Sequence, residues 1–98
     1  MTRLIQLRPE AEAELEEVYR WYEQQREELG ADFLLCVEEA LEKIRRTPEM
    51  YPTVHKHIRR ALIRRFPYGI FYLVEEQKIV VLAVFHGRRD PKQWQSRI

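Results

Sequence analysis

Cysteine occurs once in the 98 residues, as Cys36, and glycine three times, at Gly30, Gly69 and Gly87. A single cysteine excludes an internal disulfide and agrees with a reducing compartment. The chain carries no phosphate loop, no nucleophile elbow and no dinucleotide fingerprint, each of which needs glycines at close, fixed spacings. No apolar run approaches the roughly 18 residues of a membrane helix, and the N-terminus lacks the apolar core of a secretory signal. The expectation is a cytoplasmic protein without membrane contact. Internal repeats, linkers and low-complexity stretches are also missing, so residues 1–98 form one domain. His55 and His57 make an H-x-H pair that would place two ligands on one side of an extended segment. No third or fourth ligand accompanies them, so no metal is expected, and no motif calls for a cofactor.

What is present is a full complement of apolar residues, 45%, with 34% charged residues. That balance belongs to a folded globular chain. The net charge of +1 conceals a division. Residues 1–50 carry 13 acidic and 7 basic side chains, while residues 51–98 carry 3 and 10. Lys56, Arg59, Arg60, Arg64 and Arg65 crowd together with no acidic residue between them, and Arg88, Arg89, Lys92 and Arg97 follow. A basic half of this kind implies an acidic partner, either nucleic acid or a protein segment.

Hydrophobic spacing orders the chain. Leu4 to Leu7 is a short strand, and Pro9 suits the first turn of a helix. Ala11, Leu15, Val18, Tyr22 and Leu29 then line one helical face, with Gly30 expected to end it. A second helix carries Phe33, Val37, Leu41 and Ile44 and stops by Thr47, ahead of Pro48. After the loop at Met50-Tyr51-Pro52 the period becomes that of strands: Ala61 to Ile63, Ile70 to Val74 and Ile79 to Phe85. The last run is apolar at nearly every position, so both of its faces should be covered and it should lie inside the sheet, beside the first strand. The order β-α-α-β-β-β predicts a two-layer α+β domain, a helical hairpin packed on an antiparallel sheet.

Chemistry concentrates at the exit of the last strand, in "FHGRRDPKQW". His86 shares its parity with Val80, Leu82 and Val84. It could pass a proton near neutral pH or simply hydrogen-bond a nearby turn. Arg88 and Arg89 could hold phosphate or carboxylate groups in pairs of hydrogen bonds, while Asp90 could cap the segment beginning at Pro91. Cys36 sits among apolar residues without the positive charges of a reactive thiolate, which points to core packing. Trp21 falls off the apolar stripe and could meet a partner. The acidic run Glu10 to Glu17 reads as a solvated helix face.

The run "WYEQQREELGADFLLCVEEALEKIRRTPEMYP", followed by "RRALIRRFPYGIFYLVEEQKIVVLAVFHGRRDPKQW", resembles the RelE/ParE superfamily of bacterial toxin–antitoxin modules over nearly the whole chain. The resemblance implies a cognate antitoxin partner and two modes of action. RelE-like members cut ribosome-bound mRNA without a metal, and Arg60 and Arg89 match basic positions of that set. His86 and Arg89 would be the catalytic pair of such a ribonuclease. However, Gly69 stands where those enzymes carry an arginine, Leu62 replaces another basic residue, and the C-terminal tyrosine is absent, with Trp94 nearby instead. These departures favour the ParE-like branch, whose members act by binding DNA gyrase. Arg59, Arg60, Arg64, Arg65, Arg88, Arg89 and Trp94 would then contact target or antitoxin. A toxin-fold binding module without toxicity is a third reading.

Overall fold

In the computed structural model, residues 3–87, 90 and 92–97 are described, apart from the side chain of Trp94. The chain runs β1 (Leu4–Leu7), α1 (Pro9–Gln25), α2 (Leu29–Arg46), β2 (Thr53–His55), β3 (Ile58–Leu62), β4 (Tyr68–Val74), β5 (Lys78–His86) and α3 (Lys92–Gln95). The sheet order is β1-β5-β4-β3-β2, with the α1–α2 hairpin on one face. The first strand lies beside the last, as the sequence predicts. It runs parallel to it, Leu4 opposite Lys78 through Leu7 opposite Val81, so the sheet is mixed and not wholly antiparallel. The reason is connectivity: β2 to β5 form an antiparallel meander that returns in the direction of β1. Strand β2 is an additional element within the expected loop. Its hairpin to β3 turns at Lys56, whose φ is 51°, and this turn separates His55 from His57.

Strand β5 is buried from Ile79 to Phe85, as a continuous apolar run requires. Ile79, Val81 and Val84 join the core beneath the helices, while Val80, Leu82, Ala83 and Phe85 join a smaller cluster on the opposite face with Ile58 and Phe71. The alternation slips because Phe71 pairs with Ala83 and Tyr72 with Val81, leaving Leu82 as the extra residue of a β-bulge. His86 therefore shares the helix-side face with Val84, Val81 and Ile79, and the parity expected with Val80 and Leu82 is broken by the bulge.

The hairpin also differs from its expected form. Helix α1 ends at Gln25, and Gly30 lies inside α2. The link is short because Arg26 is extended and Glu28 takes a left-handed φ of 70°. The Glu23 carboxylate on α1 accepts the Glu28 and Ala31 amides, which supplies a cap that the link itself lacks. Gly30 is buried where a β-carbon would stand 2.6 Å from the Tyr19 carbonyl oxygen and 2.8 Å from its ring. The glycine thus sets the approach of the two helices. Gly30→Ala is expected to cost about 1–2 kcal/mol net, overpacking exceeding the gain in helix propensity. A chemical-denaturation midpoint equal to that of the wild type would contradict this packing role.

The core is aromatic at the hairpin end. Tyr22, Phe33, Phe66 and Tyr68 meet at centroid distances of 4.9 to 6.2 Å, mostly edge to face. Cys36 packs in the same core, as its neighbours in sequence suggest.

Candidate functional site

Arginines that crowd together in sequence are distributed by the sheet to different places. Arg59 and Arg60 are neighbours on β3, so they point to opposite faces. Arg59, opposite Tyr72, donates to the carbonyls of Glu49 and Tyr51 and ties down the loop before β2. Arg64, past the end of β3, donates to both carboxylate oxygens of Glu39 on α2, at 2.9 and 3.3 Å. Those hydrogen bonds hold the Glu39 carboxyl below its ordinary range. Arg65 takes a left-handed φ of 73° and lies over the Phe66 ring, 5.5 Å from its centroid.

Arg60 alone of these occupies the sheet face away from the helices. Its aliphatic stem crosses Gly69, where an added β-carbon would lie 3.1 and 3.3 Å from Cγ and Cδ. Its head borders a hollow of about 220 Å³ with Tyr51, Pro52 and the exposed Leu62. Among the described residues the Arg60 guanidinium forms no ion pair. A side chain at position 69 would compete for the space that Arg60 uses, which gives the glycine a physical reason.

His86 ends β5 on the other face, half-buried, opposite Tyr68 of β4. Its ring meets Tyr68 edge to face at 5.2 Å. Together with Glu17, Val18, Trp21, Tyr22 and Pro67 these two line an open cleft of about 420 Å³. The Gly87 amide donates to the Pro67 carbonyl and fixes how the chain leaves the strand. Histidine and Arg60 thus lie on opposite sides of the sheet. Arg88 and Arg89 lie outside the described residues, as does the side chain of Trp94. Asp90 caps the last helical turn, its carboxylate accepting the Lys92 amide at 3.0 Å.

One cluster escaped the sequence reading. Glu14 of α1 and Arg97 form an ion pair of 2.7 and 3.1 Å with side chains only 11% and 19% exposed. Glu14 lies three residues after Ala11 and four before Val18, on the buried stripe of α1, so helical periodicity carried its signal. Its neighbours in the acidic run obscured it.

The family model for the ParE toxin of the type II toxin–antitoxin system parDE matches residues 5–91. This chain belongs to that family. Toxin ParE2 of Mycobacterium tuberculosis, from strains CDC 1551 / Oshkosh and H37Rv, is 26% identical over 99 residues, covering 100% of this chain and 94% of the relative. Among solved structures, a chain of the chromosomal ParDE toxin–antitoxin system from P. aeruginosa superposes with a TM-score of 0.76 at 16% identity. The match covers 86% of this chain and 95% of that one, and it shows the shared fold. The ParE-like branch expected from the sequence is the one that these relatives occupy.

Proposed function

We propose that this ParE family toxin arrests growth in the cytoplasm by binding DNA gyrase, and that a cognate antitoxin neutralises it. Family membership over residues 5–91 carries the reading. Two local features agree with contact in place of phosphodiester cleavage. Gly69 backs Arg60 where a ribonuclease of the superfamily would carry a second cation, and His86 and Arg60 lie on opposite faces of the sheet. Stabilising the charge that develops on an attacked phosphate requires donors and a proton carrier converging on one point. The exposed basic residues of the second half, Lys92 among them, suit an acidic surface. Among the described residues no helix is long and apolar enough to cross a membrane.

The test pairs two assays on one preparation. Purified protein is expected to inhibit gyrase supercoiling while ribosome-bound mRNA stays intact. Cleavage of ribosome-bound mRNA with supercoiling unaffected would replace this reading with the ribonuclease one.

A further inference from the structure

Strand β5 is nine residues long, but β1 covers only its first half, ending where Leu7 lies opposite Val81. The Arg8 amide makes the last such bond, to the Val81 carbonyl, and Pro9 then begins α1. From Leu82 onward no strand among the described residues lies beside the outer edge of β5. An uncovered edge leaves backbone donors and acceptors without ladder partners.

Two side chains supply those partners. The Glu14 carboxylate accepts the Val84 amide at 2.9 Å, and the Arg97 guanidinium donates to the Leu82 carbonyl at 3.1 Å. The two are joined by their own ion pair, and Arg97 also lies over the Phe85 ring, 4.7 Å from its centroid. The alternation of acceptor and donor is that of a strand edge, built from an acid on α1 and a base at residue 97. Both side chains lie at the bulge, where the extra Leu82 disturbs the ladder.

We propose that Glu14 and Arg97 act as a clasp that stands in for the missing strand along β5 and thereby positions the C-terminal segment with its exposed Lys92 for contact with the toxin's target. The positioning half rests on the proposed function, and the clasp itself does not. Both residues are positioning residues, since neither is exposed enough to meet a partner. Arg97 tethers the segment after α3 to the sheet, and Asp90 caps that helix at its other end. The segment is therefore held at two points.

The edge polarity makes the clasp distinguishable from an ordinary ion pair. Exchanging the charges, Glu14→Arg with Arg97→Glu, preserves attraction. It also sets a guanidinium donor against the Val84 amide and a carboxylate acceptor against the Leu82 carbonyl, so each backbone group loses its partner. An ordinary pair would be rescued by the exchange, and this one is not expected to be.

The experiment uses the full chain in four forms: wild type, Glu14→Ala, Arg97→Ala and the charge exchange. Amide hydrogen exchange at Val84 should accelerate by about 10- to 100-fold in Glu14→Ala and in the charge exchange, because a charge-assisted bond is lost. The Arg8 amide, bonded to Val81, serves as the internal control and should keep its protection. Growth arrest by Arg97→Ala should fall by about tenfold or more when assayed well below that variant's own thermal midpoint, which loss of the ion pair lowers. Unchanged Val84 exchange in Glu14→Ala, or wild-type behaviour of the charge exchange, would overturn the clasp. Full growth arrest by Arg97→Ala would overturn its positioning role. A wild-type chain that arrests no growth removes both the proposed function and the positioning, while Val84 exchange still decides the clasp. Growth arrest with gyrase untouched would reject the gyrase target alone.

Discussion

Between pH 10 and 12 the folded protein is expected to lose about 2–3 kcal/mol of stability through one side chain, Tyr72. Its ring is fully buried in the main core, and its hydroxyl donates to the Pro48 carbonyl at 2.6 Å, which closes the loop between α2 and β2. Burial pushes its pKa from the ordinary 10.0 up to about 12, against the opposing charge of Arg59. An acid that holds its proton more tightly when folded contributes its full stability below the unfolded pKa. As the pH passes 10 the unfolded chain ionises first, and the contribution is gone once the pH passes about 12. Tyr22, also shifted upward by burial, acts in the same direction. Denaturant midpoints measured across this range should fall steadily in the wild type and less steeply in Tyr72→Phe. Equal slopes in the two proteins would remove Tyr72 as the cause. The phenylalanine variant should also be less stable at neutral pH by about 1–3 kcal/mol, because the Pro48 carbonyl loses its donor.

The larger functional contrast lies at the exit of β5. For a contact surface, Arg89→Ala should weaken growth arrest by about 10- to 100-fold, since a guanidinium forms paired charge-assisted hydrogen bonds with anionic or polar targets. His86→Gln should change it by only about threefold or less. The histidine packs edge to face on Tyr68 at the rim of the helix-side cleft. An amide can keep polar contact there, and binding does not require a proton to leave and return. In a ribonuclease with His86 as general acid the order reverses, because losing a positioned proton donor costs about 10²–10⁴ in rate. Thermal transitions of both variants should be compared first, so that unfolding is not read as inactivity. A folded His86→Gln protein without toxicity, beside a toxic Arg89→Ala, would move the assignment to catalysis.

Much of this architecture was legible because hydrophobic period is a direct record of burial. The unbroken apolar run of β5 announced a strand covered on both faces, and the stripes at spacings of three and four announced the hairpin. The direction of β1 was not legible, since four residues carry no signal distinguishing a parallel from an antiparallel neighbour. The bulge at Leu82 was hidden for a related reason: in a strand apolar on both faces, an extra apolar residue leaves the pattern unchanged. Gly30 misled because a glycine after a helical stripe ordinarily marks a helix end, whereas here close helix packing required it. The arginines from Arg59 to Arg65 suggested a single patch by their closeness in sequence. The period of two already placed Arg59 and Arg60 on opposite faces, and only the fold could show that Arg64 reaches Glu39.

The pairing of β1 with β5 also fixes an order of events in the life of the chain. Leu4 and its partner Lys78 are separated by 74 positions, so the first strand emerges from the ribosome long before its neighbour exists. The α1–α2 hairpin consists of local contacts and can form during that interval. The sheet cannot close until the final strand has been made, because β5, the interior strand that joins β1 to β4, is the last strand to be synthesised. A nascent chain can therefore hold the helical pair while β1 is still without its strand partner. The contact surface proposed at the end of β5 comes into being only after that strand has been made, which confines the period in which an antitoxin must be at hand.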